Sequence, residues 1–316
     1  MNGNQTLIST SQAASLLQVH ESSIKRWCNA DALHCEYTAG RHRRIPLWAL
    51  LEFAREQEMA CSLLDFAPNE EKVWRAFEKA RSNKGFDDIV LIAYDWVREG
   101  DEVALSKLIH FLQGWNFPVS RIFDRLIGAI MYNVGDAWVS GRIGTGDEHR
   151  MTELVRDTIN AIRLDLMRKR EKPPEGRIAV VGCAAGELHE LGALMVRVIL
   201  EEAGWRVVYL GANVPAEDLA AQQAKFDAKL LAVSIMPPRG EADARNLVRL
   251  LARFYNPEQP YHLAIGGSGL DDTRSLMPST EPFEDVKMFR EIEVFSDWVA
   301  TRSVAEAAPV YTNGRN

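Results

Sequence analysis

The sequence predicts a multidomain protein of the α and α/β classes, made of a winged helix-turn-helix, a helical bundle and a doubly wound, Rossmann-like parallel-sheet domain. Its 316 residues, 47% of them hydrophobic, suffice for two or three packed domains. Apolar residues recur at helical spacing before residue 170, whereas short apolar runs alternate with helical stretches after residue 176. We expect the domains at residues 1–62, 68–170 and 176–303.

The composition indicates a chain without membrane contact. No basic-then-apolar signal is present and charged residues interrupt the apolar segments, so we expect a cytoplasmic protein. The cysteines form no CxxC pair, which favours reduced thiols, although Cys28 and Cys35 near His34 leave a zinc site open. The net charge of -7 argues against a generally basic surface, yet residues 20–48 contain five basic and three acidic residues.

Residues 10–27 have the pattern of a helix-turn-helix. Two short amphipathic helices flank a break at residues 18–20, and the second helix begins at Glu21 or Ser22. We expect this second helix to read DNA, because its polar side can meet phosphates and base edges. The candidate contacts on it are Ser22, Ser23, Lys25 and Arg26.

A basic wing is predicted directly after these helices. Residues 36–38 and 43–45 read as two strands that flank a turn at residues 39–42. The candidate DNA contacts at its tip are Arg41, His42, Arg43 and Arg44. A small helical domain with a solvated charge run would show much the same pattern.

The string from Thr38 to Ile45, Thr-Ala-Gly-Arg-His-Arg-Arg-Ile, resembles the wing of the MerR family of DNA-binding proteins. Arg26-Trp27 and Leu33 before it extend the resemblance over roughly residues 7–60. The resemblance implies binding to double-stranded operator DNA. Arg41 replaces the second glycine of the family's pattern, so we expect strain in the turn and an additional charge for phosphate.

Residues 68–170 predict a bundle of four or more helices, with breaks at Gly85 and at residues 100–101, 116–118 and 141–146. Residues 171–176 read as a charged, proline-rich linker. Beyond it, strands are predicted at 178–181, 207–210, 230–233 and 263–265, alternating with helices near 190–203, 216–225, 240–254 and 289–301. Ligands of such sheets bind beyond the carboxyl ends of the strands.

The loop after the first of these strands holds a histidine that could meet a metal. Glu187, two residues before His189, can accept the proton of one imidazole nitrogen and leave the other free. Gly192 allows a bulky ligand to approach the start of the next helix. The alternative interpretation is a histidine that caps or packs at a helix start.

Two further loops hold Ser234 and the pair Gly266-Gly267, and together with Glu187 and His189 they resemble the cobalamin-binding signature. The resemblance implies that His189 replaces the cofactor's own base on cobalt. The detached nucleotide tail would lie in a slot past the serine and the two glycines. Glu187 stands where corrinoid enzymes commonly have aspartate, and Met236 stands where they have leucine.

Within the bundle, Trp138 is followed after nine residues by Glu148-His149, a string that resembles the CarH-type light-dependent repressors. The resemblance implies that these three side chains hold the adenosyl group of adenosylcobalamin. A core tryptophan and an ordinary acidic helix start would explain the same residues. Family members carry a histidine after the tryptophan, whereas this chain has Val139. Valine cannot ligate cobalt, so we predict no stable bis-histidine photoproduct through this position.

The order of winged helix-turn-helix, helical bundle and cobalamin domain resembles the CarH-type family over nearly the whole chain. It implies a transcriptional repressor, not an enzyme, that is a tetramer on DNA in the dark and loses tetramer and repression when light breaks the cobalt–carbon bond. Three alternatives stay open. They are a corrinoid carrier of a methyltransferase system, a light-independent regulator that senses cobalamin or another tetrapyrrole, and a regulator that has lost the cofactor. The first 60 residues argue against the carrier.

Overall fold

The structure is a computed structural model that describes residues 5–170, 176–270 and 282–305, without the side chains of 302–305. The chain divides into two compact units, one formed by Met1–Phe117 with Ala129–Met151 and the other by Pro118–Gly128 with Thr152–Asn316. This division does not follow the three predicted domains, whose boundaries stay a prediction. The predicted linker lies outside the described residues except for Gly176.

The first unit begins with the predicted winged helix-turn-helix. Its elements are β1 (Leu7–Ser9), α1 (Thr10–Leu16), α2 (Glu21–Asn29), β2 (Glu36–Tyr37), β3 (Arg43–Pro46) and α3 (Leu47–Glu56). The strands form an antiparallel sheet in the order β1-β3-β2. The three-residue β1 was not expected, because so short a strand has no readable alternation. It is held by its pairing with β3, which places Ile8 opposite Ile45 in the buried core.

Helices follow, as the spacing of apolar residues predicts. They are α4 (Glu70–Arg81), α5 (Asp87–Glu99), α6 (Glu102–Gly114), α7 (Val119–Ile122), a π-helical segment (Phe123–Gly128), α8 (Ala129–Val139) and α9 (Thr145–Lys169). In the first unit an aromatic cluster fills the core, with the Phe77 ring 5.0 Å from both Phe111 and Trp115. Gly100 ends α5 with a left-handed φ of 82°, a conformation that costs glycine little.

The second unit contains a parallel sheet of five strands. The elements are β4 (Ile178–Ala184), α10 (Leu191–Glu202), β5 (Arg206–Val214), α11 (Ala216–Phe226), β6 (Leu230–Ser234), α12 (Glu241–Ala252), β7 (His262–Gly266), β8 (Asp285–Phe289) and α13 (Ile292–Ala305). The strand order is β5-β4-β6-β7-β8. The predicted fold class is therefore confirmed. The edge strand β8 was not predicted, because Asp285 and Lys287 interrupt its apolar residues.

The sheet brings the ends of its strands into one row. Cys183 of β4 pairs with Ser234 of β6, which pairs with Gly266 of β7, which pairs with Phe289 of β8. The strand order reverses at β4, so the connections on its two sides leave in opposite directions and open a crevice there. The loops after β4, β6 and β7 thus meet at one edge.

Within the second unit, the π-helical segment caps α13. The backbone N–H groups of Ile292 and Glu293 donate to the two carboxylate oxygens of Asp124 at 2.9 and 2.7 Å. Arg121 pairs with Glu293 at 3.0 Å. Burial raises the pKa of Asp124 despite these two hydrogen bonds.

None of the helices in the described part of the chain is long and apolar enough to cross a bilayer. The same described residues contain no group of three or more histidine, cysteine, aspartate or glutamate side chains that could hold a metal ion. The zinc alternative at Cys28 and Cys35 therefore gains no support from the structure.

Candidate functional site

A buried carboxylate organises the edge of the parallel sheet. After β4 the chain turns at Gly186, whose φ is 73°, and places Glu187 at 2% exposure. One carboxylate oxygen, Oε1, accepts the backbone N–H of His189 at 2.9 Å and lies 2.7 Å from Nδ1 of the same residue. The contact between Glu187 and His189 that the sequence predicts is therefore present.

The other carboxylate oxygen of Glu187 faces the loop after β6. Oε2 accepts the backbone N–H of Met236 at 2.9 Å and a guanidinium N–H of Arg239 at 3.0 Å. Burial acts to raise the pKa of Glu187, but the hydrogen bonds from His189 and Met236 outweigh it, so the pKa is lowered. The carboxylate is thus held ionised, as an acceptor for the imidazole.

His189 has the geometry of a metal ligand. Its side chain is 74% exposed, in contrast to the buried carboxylate that holds it. With Nδ1 engaged by Glu187, Nε2 is the nitrogen left for a ligand, and the carboxylate fixes the orientation of the ring. The residues present therefore fit a cobalt corrinoid that lacks its own lower base.

Ser234 and Gly192 lie against each other beside this pair. A Cβ built on Gly192 would come within 3.2 Å of the Ser234 hydroxyl oxygen, and Ser234 is itself buried. A side chain at Gly192 would thus be tight against the serine, at the same sheet edge as His189.

Gly266 and Gly267 differ in their surroundings. A Cβ on Gly267 would lie 1.6 Å from the carbonyl oxygen of Ile235, so the backbones of the loops after β6 and β7 are in direct contact. The nearest atom to a Cβ on Gly266 would be the Phe289 carbonyl oxygen at 3.7 Å, an ordinary contact. Packing alone accounts for Gly267, whereas no residue in the described part of the chain excludes a side chain at Gly266.

Two residues that hold the loop bearing His189, Asn213 and Glu190, were not predicted from the sequence. Asn213, at the end of β5, accepts the N–H of Gly186 through Oδ1 at 2.6 Å and donates its own N–H to the Glu187 carbonyl at 2.9 Å. Glu190, next to His189, pairs with Arg156 and accepts the Tyr209 hydroxyl at 3.0 Å. Partners so far apart in the chain have no sequence pattern that joins them.

In the first unit, Trp138 is not a core residue, whereas the acidic helix start of the same alternative interpretation is present. Trp138 is 48% exposed, and its indole N–H donates to the Thr145 hydroxyl at 3.3 Å. Val139 is 80% exposed. Glu148 and His149 lie in the first turn of α9 with their side chains 3.5 Å apart, which fits both an acidic helix start and a ligand contact.

The proposed reading helix shows the expected polar face. Ser22, Lys25 and Arg26 are exposed and Ser23 is partly exposed, while Ile24 packs into the core. Two of these side chains already have partners. The Ser22 hydroxyl lies 2.8 Å from Nδ1 of His20, and Lys25 pairs with Glu21 at 2.9 Å.

The wing contains the strain that its sequence predicts. Arg41 has a left-handed φ of 57°, and its N–H closes the turn onto the Thr38 carbonyl at 2.8 Å. Arg41 and His42 are exposed, and Arg44 is partly exposed. Arg43 faces the domain instead, since it donates to Asn29 at 2.6 Å and lies over the Tyr37 ring.

Two family models match the chain. The B12 binding domain matches residues 177–294, and a helix-turn-helix domain matches residues 7–58. The chain thus combines the two kinds of domain that its motifs predict.

Two curated relatives are named HTH-type transcriptional repressors. The chain is 29% identical over 153 residues to the HTH-type transcriptional repressor CarH of Myxococcus xanthus, covering 48% of this chain and 46% of that protein. It is 27% identical over 128 residues to the repressor CarA of the same organism, covering 40% and 42%. The matches thus span less than half of each relative. The predicted resemblance to CarH-type regulators is confirmed.

Among solved structures, the monomethylamine corrinoid protein of Methanosarcina barkeri is similar to this chain with a TM-score of 0.50 and 16% identity. The match covers 68% of this chain and 96% of that protein. At this identity the similarity supports the fold alone.

Proposed function

We propose that this protein is a cobalamin-dependent transcriptional repressor that responds to light. The observation that carries the proposal is the buried Glu187, which fixes Nδ1 of the exposed His189 at the ligand edge of a B12-binding domain. A winged helix-turn-helix in the same chain supplies a surface for DNA. Two similar proteins are named transcriptional repressors.

His189 is proposed as the lower axial ligand, through Nε2. Ser234, Gly192 and Gly266 would border the slot for the nucleotide tail, since they meet at the sheet edge where His189 lies. Gly267 would keep the loops after β6 and β7 close enough to shape that slot.

The residues on the upper face of the corrin ring, opposite His189, are proposed from the resemblance to CarH-type regulators. When bound, adenosylcobalamin would supply a cobalt–carbon bond that light breaks. The half-exposed Trp138 offers apolar surface to the adenosyl group, and Glu148 and His149 offer hydrogen-bonding groups. Val139 has no ligating atom, so no stable bis-histidine state is expected through it.

The proposed DNA surface consists of the exposed side of α2 and the tip of the wing. Phosphate contacts by single basic residues are weak at physiological salt, so several copies bound together would be needed for firm repression. We propose that the protein is a tetramer in the dark and binds double-stranded operator DNA in this form. We also propose that it is located in the cytoplasm, where that DNA lies.

The test uses the full chain reconstituted in darkness with adenosylcobalamin. Absorbance, size-exclusion chromatography and binding to a DNA duplex selected from a random pool would be measured before and after illumination. We expect a histidine-ligated spectrum, and a light-induced decrease in both oligomer size and DNA affinity. His189→Ala should remove the histidine ligation, whereas His110→Ala, at an exposed histidine on α6, should not.

Each part of the proposal can fail separately. A His189→Ala spectrum equal to that of the wild type would refute the assigned ligand. Bound cofactor without any light response would leave a light-independent sensor. Corrinoid binding without DNA binding would favour the second candidate, a corrinoid carrier of a methyltransferase system, in which a B12-binding domain would serve equally.

A further inference from the structure

Arg239 lies in the loop after β6 and reaches the carboxylate that holds His189. Its Nη1 donates to Oε2 of Glu187 at 3.0 Å, while the imidazole occupies the other oxygen. Glu187 is almost completely buried, whereas the Arg239 side chain is about one-third exposed. The guanidinium therefore covers the outer side of a carboxylate that would otherwise lack a cationic partner on that oxygen.

Arg239 also touches all three loops that meet at the sheet edge. In the loop after β4, a Cβ on Gly186 would lie 2.7 Å from Nη2 of Arg239. In its own loop, the Arg239 N–H donates to the Met236 carbonyl at 3.0 Å. In the loop after β7, a Cβ on Gly269 would lie 2.6 Å from the Arg239 carbonyl oxygen. Two glycines thus leave room for this one residue.

The carboxylate in question is a glutamate. A glutamate has one more rotatable bond than an aspartate, so it needs more contacts to hold one orientation. Met236 and Arg239 both bind Oε2 and thereby fix the direction of Oε1. A charge-assisted hydrogen bond of this kind is stronger and more directional than a neutral one.

We propose that Arg239 is a positioning residue, which acts through Glu187 to hold the His189 imidazole in the orientation that ligates cobalt. The inference rests on the proposed function, because it assumes that His189 meets a corrinoid. It assigns a role to a residue outside the cobalamin-binding signature.

The test measures ligation directly. The full chain, with its histidines labelled with 15N, would be loaded with cob(II)alamin. In the electron paramagnetic resonance spectrum, the two-line splitting from 15N would report the fraction with His189 on cobalt, because the cofactor's own 14N base gives three lines. We expect Arg239→Met to lower the ratio of ligated to unligated cobalt on the order of tenfold, the effect of losing one charge-assisted contact. Arg239→Lys should restore most of the ratio, because lysine can still donate to the carboxylate.

A matched control removes an arginine–carboxylate pair elsewhere in the same unit. Arg245 pairs with Glu241 on α12 at 3.5 Å, so Arg245→Met should keep the wild-type ratio. Circular dichroism of each apo-variant would show whether it is folded. If Arg239→Met is unfolded, Arg239→Gln replaces it, with the same expected decrease.

The outcomes separate the inference from the proposed function. A folded Arg239→Met variant with the wild-type ratio overturns the role of Arg239 and leaves the cobalamin proposal intact. A wild-type protein that shows no 15N splitting refutes His189 as the ligand, and the inference fails with it.

Discussion

Nη2 of Arg43 in the wing donates to Oδ1 of Asn29, the last residue of the proposed reading helix, at 2.6 Å. The same guanidinium lies 5.5 Å from the centre of the Tyr37 ring on the neighbouring strand. Arg43 therefore joins the wing to α2, and its side chain is less available to phosphate than its place in a basic run suggests.

Arg43→Ala and Arg41→Ala should weaken DNA binding in different ways. Arg41 is exposed at the tip, so its loss should lower affinity and reduce the slope of log K against log salt by about 0.9, the value for one phosphate contact. Arg43→Ala should instead lower stability by about 1 kcal/mol and leave the slope nearly unchanged. Fluorescence anisotropy over a salt series and urea unfolding would measure these effects. Equal slope changes for the two variants would contradict the assignment.

Arg41→Gly should separate stability from DNA affinity. Because Arg41 has a left-handed φ, a glycine there avoids a steric penalty of about 1 kcal/mol that Arg41→Ala retains. We expect the glycine variant to exceed the alanine variant in free energy of unfolding, while both lose DNA affinity to a similar extent. Urea unfolding and anisotropy test this. Equal stability of the two variants would show that the turn is not left-handed in solution.

Glu187→Ala should lower the stability of the fold strongly. His189→Ala should lower it little and still abolish the ligation of cobalt. Without the buried Glu187 carboxylate, the N–H of Met236 and the Arg239 guanidinium lose their hydrogen-bond acceptor. The free energy of unfolding should fall by roughly 2–3 kcal/mol. Removing the exposed His189 ring should cost less than about 0.5 kcal/mol and still abolish ligation of cobalt. Denaturant unfolding of the apo-proteins, compared with cobalamin spectra, would check both. A large stability loss in His189→Ala would indicate a structural histidine.

Asp124 should make stability depend on pH in mildly acidic solution. Burial raises its pKa in the folded state above the ordinary 3.8. Its extra stability is therefore complete below that value and is lost as pH rises through the folded-state pKa. Asp124→Asn does not titrate, so the free energy of unfolding of the wild type minus that of the variant should decrease as pH rises through the folded-state pKa of Asp124. Urea unfolding at several pH values would measure it. A difference that increases with pH would contradict the raised pKa.

Much of the site could be predicted because its groups are close in sequence. Glu187 and His189 are two residues apart, so a loop that follows a strand suffices to bring carboxylate and imidazole together. The turn at Arg41 could be predicted as strained because conformational preference is a property of a single residue. Ser234 and Gly266 could be placed at one edge because parallel strands end at the same side of a sheet.

The sequence by itself determined the helix-turn-helix, the helical character of residues 68–170, four of the five parallel strands and the local pairing of Glu187 with His189. Periodicity and short-range geometry suffice for these, since they act between neighbours in the chain. Only the tertiary structure decided that Arg239 holds Glu187 and that Arg43 binds Asn29. It also decided that β1 and β8 become strands. These features depend on partners that strand order and packing bring together, and no local pattern encodes which distant residue will be adjacent.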